Sequence, residues 1–212
     1  MQLLAIATAA TGALVVALLV CEAREATIGR WVTKPLASIG FILCALLAGA
    51  PQTSRYSLCI LIALVLSFFG DVFLIPKSKA SFKVGLFAFL IGHFAFAAAF
   101  VARGLNAIAA AIALAALVIP AVVVGRWLWP RVDGKLRGPV LAYIAVITGM
   151  VACAIGSVYS RFEPLPIVAA AAFYLSDLSV ARDTFVHKSF VNRLWGLPLY
   201  YGAQLLFAWS VR

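Results

Sequence analysis

The sequence predicts an all-α polytopic membrane protein, one domain over residues 1–212 built as a bundle of about eight transmembrane helices. Three observations carry that expectation. Of 212 residues, 65% are hydrophobic and only 11% charged, with a mean hydropathy of +1.09, whereas soluble domains are roughly half apolar and a quarter charged. Apolar runs near the roughly 20 residues that a crossing helix needs recur along the whole chain. The basic residues sort into alternate loops. Eight spans use nearly all of the chain, which leaves no length for a separate soluble domain.

The runs follow in order. Residues 2–21 have no basic side chain ahead of them and no small-x-small site behind, and Leu18-Leu19-Val20-Cys21 lacks the small residue that precedes a lipoprotein cysteine. They therefore read as a first span rather than a cleaved leader. Residues 35–50, bounded by Lys34-Pro35 and Pro51, form a short span expected to tilt or to thin the bilayer locally. Residues 56–75 stop at Pro76, and residues 82–102 stop at Arg103-Gly104. Residues 105–125 lead into the segment from Pro130 to Pro139; residues 139–159 and 164–182 are parted by Arg161 through Pro166. The last run, 193–211, follows Arg182 through Arg193. Glycine and alanine, as in Gly85 to Gly92 and Ala95 to Ala99, suit close packing where lipid supplies no hydrophobic force. Trp31, Trp127, Trp129, Trp195 and Trp209 fall near span ends, at headgroup level.

The net charge of +10 does not point to nucleic acid, because the 17 Lys and Arg residues are scattered through short loops. Odd-numbered loops hold Arg24, Arg30, Lys34, Lys77, Lys79, Lys83, Arg126, Arg131, Lys135, Arg137, Arg182, Lys188 and Arg193; the other side holds Arg55, Arg103, Arg161 and Arg212. By the positive-inside rule the odd loops are cytoplasmic and both termini face the other side. Cys21, Cys44, Cys59 and Cys153 lie in or beside apolar runs without CxxC spacing, and read as packing residues rather than a metal or redox centre.

Of seven carboxylates, Glu22, Glu25, Asp133, Glu163 and Asp183 fall in loops, while Asp71 and Asp177 fall inside the third and seventh spans. An acid at the centre of a span costs roughly 2.5–3.5 kcal/mol, so each is a functional candidate that must face the bundle interior. The plainer alternative is a helix-to-helix hydrogen bond or an acid that snorkels to the interface. His93 is the histidine within a span, and Tyr143, Tyr174, Asn192, Tyr200, Tyr201 and Gln204 add polar groups to the last three spans. At about 1.5 Å per residue from the cytoplasmic ends, Asp71 and Tyr143 lie roughly 6 Å deep, Tyr200, Tyr201 and Asp177 roughly 8–14 Å, and His93 roughly 15–17 Å. These depths suit one cavity open to the cytoplasmic leaflet.

Five short motifs occur in order: Gly70-Asp71-Val72-Phe73-Leu74, Gly92-His93, Pro139-Val140-Leu141-Ala142-Tyr143, Phe173-Tyr174-Leu175-Ser176-Asp177-Leu178 and Pro198-Leu199-Tyr200-Tyr201-Gly202-Ala203-Gln204. With them the chain resembles the YhhN-type lysoplasmalogenase family over about two-thirds of its length; the first two spans match only as hydrophobic helices. The resemblance implies a hydrolase that cleaves the vinyl ether of a lysophospholipid to a fatty aldehyde and a glycerophospho-alcohol, with no cofactor or metal. It also implies a bilayer-embedded protein, expected in a bacterial inner membrane. Chemistry compatible with it assigns catalysis to Asp71, Asp177 and His93. Asp177, taken as the more desolvated acid, protonates the alkene; Asp71, nearer the mouth, stays ionised, stabilises the cation and deprotonates water. His93 orients the water, the tyrosines with Asn192 and Gln204 bind substrate, and Lys77, Lys79, Arg182 and Arg193 flank the mouth where a phosphate would sit. Two other classes compete: a transporter with Asp71 and Asp177 as ion or proton sites, and a lipid-binding scaffold. Neither an inverted repeat nor a matched pair of broken helices supports the transporter.

Overall fold

The computed structural model describes residues 1–52, 54–76, 78–158 and 163–212. Among them it contains eight α-helices: α1 (Gln2–Ala23), α2 (Thr27–Leu47), α3 (Arg55–Phe73), α4 (Lys79–Gly104), α5 (Ala107–Leu128), α6 (Gly134–Val158), α7 (Leu165–Phe185) and α8 (Phe190–Trp209). Polar residues at the loop ends fix several starts by accepting a backbone N–H that the first turn leaves unpaired. Ser54 accepts from Ser57, Ser78 from Ser81, Asn106 from Ala109 and Ser189 from Val191.

Seven helices, α1 through α7, are long and apolar enough to cross a membrane. The eighth, 20 residues long, owes its lower hydropathy to Asn192, Arg193, Tyr200, Tyr201 and Gln204. Four of those five side chains are buried, so the polar residues form the inner face of α8 and its outer face stays apolar.

Prolines separate the sequence-based boundaries from the observed ones. Helix α2 starts at Thr27 rather than at residue 35, and Pro35, Pro120, Pro139 and Pro198 all lie inside helices. Pro35 withdraws the backbone hydrogen bond to the Trp31 carbonyl, a loss that membrane helices tolerate; beside it the Tyr201 hydroxyl, from α8, donates to the Lys34 carbonyl at 3.3 Å. At 21 residues α2 has full spanning length, so the expected thinning of the bilayer is unnecessary.

Helices α2, α3, α4, α6, α7 and α8 pack in that order into a ring, closed where α8 meets α2. Helix α1 covers α2 and α8 from outside, and α5 packs on the outer side of α6. Small residues permit the tightest crossings. A Cβ on Gly70 would fall 2.6 Å from the Phe89 ring, and one on Gly196 would fall 1.8 Å from Ser179 Oγ. The ring is plugged toward the chain ends of α4 and α8 by Phe96, Phe100 and Phe207, with Phe96 stacked on Phe207 at 4.2 Å between centroids. At the opposite end, where the odd-numbered loops lie, the ring is hollow.

Candidate active site

The hollow is a cavity of about 250 Å³ lined by α4, α6, α7 and α8, with Asp71 of α3, Val124 and Leu128 of α5, Lys34 of α2 and Glu22 of α1 completing it. Asp71, Tyr143, Tyr174, Asp177, Asn192 and Tyr200 all line it. The two intramembrane acids thus come from separate helices to one chamber, as their depth along the sequence suggested. Tyr201, Gln204 and His93 stand outside its lining, packed behind it.

Asp71 sits in a closed shell of donors. Lys34 Nζ, from α2, lies 3.2 Å from Oδ1. The Ser38 and Tyr200 hydroxyls donate to Oδ2 at 2.7 and 2.6 Å, and the Tyr201 hydroxyl stands 3.3 Å from Ser38 Oγ. An ammonium and two hydroxyls converging on one carboxyl form the environment of an ionised carboxylate, which is acceptor-only.

Asp177 has a different setting. The Tyr143 hydroxyl donates to its Oδ2 at 2.7 Å, and the same oxygen lies 3.6 Å from His93 Nε2. The His93 ring is fixed by Nδ1–H, which donates to the Phe89 carbonyl at 2.7 Å. With that proton on Nδ1, Nε2 presents a lone pair toward Asp177. Phe173 covers the imidazole at 4.6 Å between centroids. No lysine or arginine contacts Asp177 among the described residues.

The relative burial of the two acids is the reverse of the order expected from the sequence. Asp71's side chain is 3% exposed and Asp177's 18%, so Asp177 is the acid open to the cavity. Rise along a helix measures depth but not which neighbour the side chain faces. Asp71 faces the contact of α3 with α2 and α8, whereas Asp177 points into the chamber.

The mouth holds an ion-pair cluster. Arg193 pairs with Glu22 and with Asp183, and Arg30 lies 3.5 Å from Glu22. Asn192 is wholly engaged there: its amide donates to Asp183 and to the His187 carbonyl, and its oxygen accepts from Arg182. Of the four cations considered for a phosphate, Arg193 lines the cavity; Arg182 and Lys79 do not, and Lys77 falls outside the described residues. Lys79 stands exposed at the start of α4.

Sequence reasoning missed Lys34, Ser38 and Glu22 as parts of the site. Placing Lys34-Pro35 in a loop concealed the first two; on a helix begun at Thr27, Lys34 and Ser38 lie one turn apart on one face. Glu22 was counted as a loop acid, yet it closes α1 at the chamber's rim.

A membrane-spanning ring of helices around an internal chamber, with two acids in unlike settings, defines a polytopic membrane protein with an intramembrane polar site. The model of the YhhN family matches residues 29–211, and the chain belongs to that family. The match begins two residues into α2, so the likeness takes in Lys34 and Ser38 as well as the later motifs. The chain is 29% identical over 186 residues to lysoplasmalogenase TMEM86A of Bos taurus, covering 85% of this chain and 72% of that protein. It is 28% identical over 186 residues to lysoplasmalogenase TMEM86A of Homo sapiens, with the same coverage. No solved structure matches the chain.

Proposed function

We propose that this protein hydrolyses the vinyl ether bond of a lysoplasmalogen-type lysophospholipid, releasing a fatty aldehyde and a glycerophospho-alcohol. The observation that carries the reading is the inequivalence of two acids on one chamber: Asp71 bound by Lys34, Ser38 and Tyr200, and Asp177 open to the cavity beside Tyr143 and His93. The names of the relatives and the bilayer setting support it.

Vinyl ether hydrolysis starts when a proton adds to the alkene carbon remote from oxygen, which leaves an oxocarbenium ion. Asp177 supplies that proton, since its carboxyl meets the chamber and has no cation to hold it ionised. The negative charge of Asp71, presented through Tyr200, stabilises the oxocarbenium. Water then adds to the cationic carbon and returns a proton to the Asp177 carboxylate, giving a hemiacetal and restoring the acid. Collapse of the hemiacetal moves its hydroxyl proton to the ether oxygen by way of Asp177, so aldehyde and alcohol part with atoms and charge balanced. Asp71, with three donors already bound, acts as a fixed charge rather than as the base. The Tyr143 hydroxyl fixes Asp177 Oδ2, and the bare Nε2 of His93 stands 3.6 Å from that same oxygen.

The mouth belongs in this reading to the cytoplasmic leaflet, because the chamber opens at the end where thirteen of the 17 basic residues were counted. Both termini then face away from the cytoplasm, and a bacterial inner membrane is the proposed location. Purified protein given a lysoplasmalogen should release aldehyde. Asp177→Asn should lower kcat by roughly 10²–10⁴ with the fold retained, which is the range of general acid catalysis. Ion or proton flux into liposomes without any aldehyde would establish the transporter instead.

A further inference from the structure

The chamber's walls differ in polarity from side to side. Lys34, Asp71 and Arg193 stand on α2, α3 and α8, whereas Val124, Leu128, Val140, Ile144 and Ile147 form the wall supplied by α5 and α6. On the outer side of that wall, facing lipid, a second hollow of about 580 Å³ runs between the same two helices. Ile144 borders both hollows.

The groove exists because Ala121 and Gly125 on α5 face Ala145 and Gly149 on α6 across a seam with little to fill it. A Cβ on Gly149 would meet nothing within 4 Å. It extends from Leu114 to Trp129, about 22 Å of helix rise, which is ample for one leaflet of hydrocarbon at about 15 Å. Arg126 and Trp129 lie at the end level with the chamber mouth, a placement suited to the headgroup region. The inner chamber, at about 250 Å³, falls below the roughly 300–1,000 Å³ of sites that enclose a drug-sized ligand. A whole lysolipid therefore needs space beyond it.

Resting on the hydrolase reading, we infer that the hydrocarbon chain of the lysolipid lies in the α5–α6 groove and passes Ile144 into the chamber. The headgroup then points toward Lys34 and Arg193, and the bond to be cleaved meets Asp177 and Tyr143. Ile144 and the groove set the chain-length preference.

Two measurements on the full-length protein in nanodiscs test the placement. A lysophosphatidylcholine bearing a diazirine at its chain terminus should, on irradiation, label peptides of α5 and α6 around Leu114 to Gly149. Labelling confined to other helices overturns the inference whether or not the protein cleaves vinyl ethers. Kinetics with hexadecenyl and octenyl lysoplasmalogens form the second arm. Ala145→Phe, which fills the groove from an exposed position, should lower kcat/KM for the hexadecenyl substrate by at least about tenfold, the scale of lost apolar pocket contacts. The octenyl substrate should lose clearly less than the hexadecenyl one, and its continued cleavage also certifies the fold. Ile119→Trp, on the lipid face of α5 but outside the groove lining, should change neither. Equal losses on both substrates, or none on either, refute the assignment. Absence of aldehyde from both substrates with the unsubstituted protein would instead defeat the hydrolase reading, and the photolabel alone would then decide where the chain lies.

Discussion

Replacing Lys34 with methionine removes the cation from a buried pair while keeping most of the side-chain volume. The ammonium lies 3.2 Å from Asp71 Oδ1, with side-chain exposures of 11% and 3%. At an effective dielectric of about 20, two unit charges at that distance attract by roughly 5 kcal/mol. Withdrawing both from water costs several kcal/mol per ion, so the intact pair contributes little net stability. Deleting one partner is another matter, because Asp71 is then enclosed without its cation. Lys34→Met should cost about 3–5 kcal/mol. Asp71→Asn keeps acceptors for Ser38 and Tyr200 and leaves a lysine that reaches the chamber, so it should cost about 1–2 kcal/mol. The double variant removes both charges and should lie within about 1 kcal/mol of the original, a coupling of at least about 3 kcal/mol. Unfolding by sodium dodecyl sulfate in mixed micelles, followed by the fluorescence of the five tryptophans, measures all four corners of the cycle. A Lys34→Met cost below about 1 kcal/mol with no coupling would refute the claim that this pair is a buried ion pair holding Asp71 charged.

Other substitutions read other parts of the site. Tyr143→Phe removes the hydroxyl that donates to Asp177 at 2.7 Å and should lower kcat about tenfold or more, with unfolding changed by about 1 kcal/mol, checked by aldehyde release and the same titration. Gly196→Ala places a Cβ 1.8 Å from Ser179 Oγ and should cost about 1–3 kcal/mol through overpacking of α7 on α8; adding Ser179→Gly should restore most of it. Gln204 is fully buried, and neither amide atom has a hydrogen-bond partner among the described residues. Gln204→Leu should therefore hold or raise the thermal unfolding temperature, and a marked fall would reveal a partner for that amide.

The acids were legible in the sequence because a charge in hydrocarbon is an anomaly of position alone, detectable without knowing any neighbour. Helix number was legible for a similar reason: spanning length and apolar content are properties of a segment by itself. Helix α8 required more, since its average hydropathy is lowered by the very residues that give it an inner face. What resisted reading depended on which side chains meet. Lys34 and Pro35 together resemble a loop, yet α2 runs through them from Thr27 to Leu47 with α8 packed beside it.

Gln204 shows the limit most clearly. It follows Tyr200 by four residues, so it shares that tyrosine's face of α8 but stands one turn farther along the axis. That turn carries it out of the chamber lining and toward Phe207 of the aromatic plug. Motif proximity therefore grouped residues that the helix rise separates. Asp71, Tyr200 and the Lys34–Ser38 turn are distant in sequence and meet only because α2, α3 and α8 cross at one level. In the proposed hydrolysis a carboxylate held by three helices at once keeps its charge, and Asp177, bound by Tyr143 and beside a bare imidazole nitrogen, is the acid that exchanges a proton with the substrate.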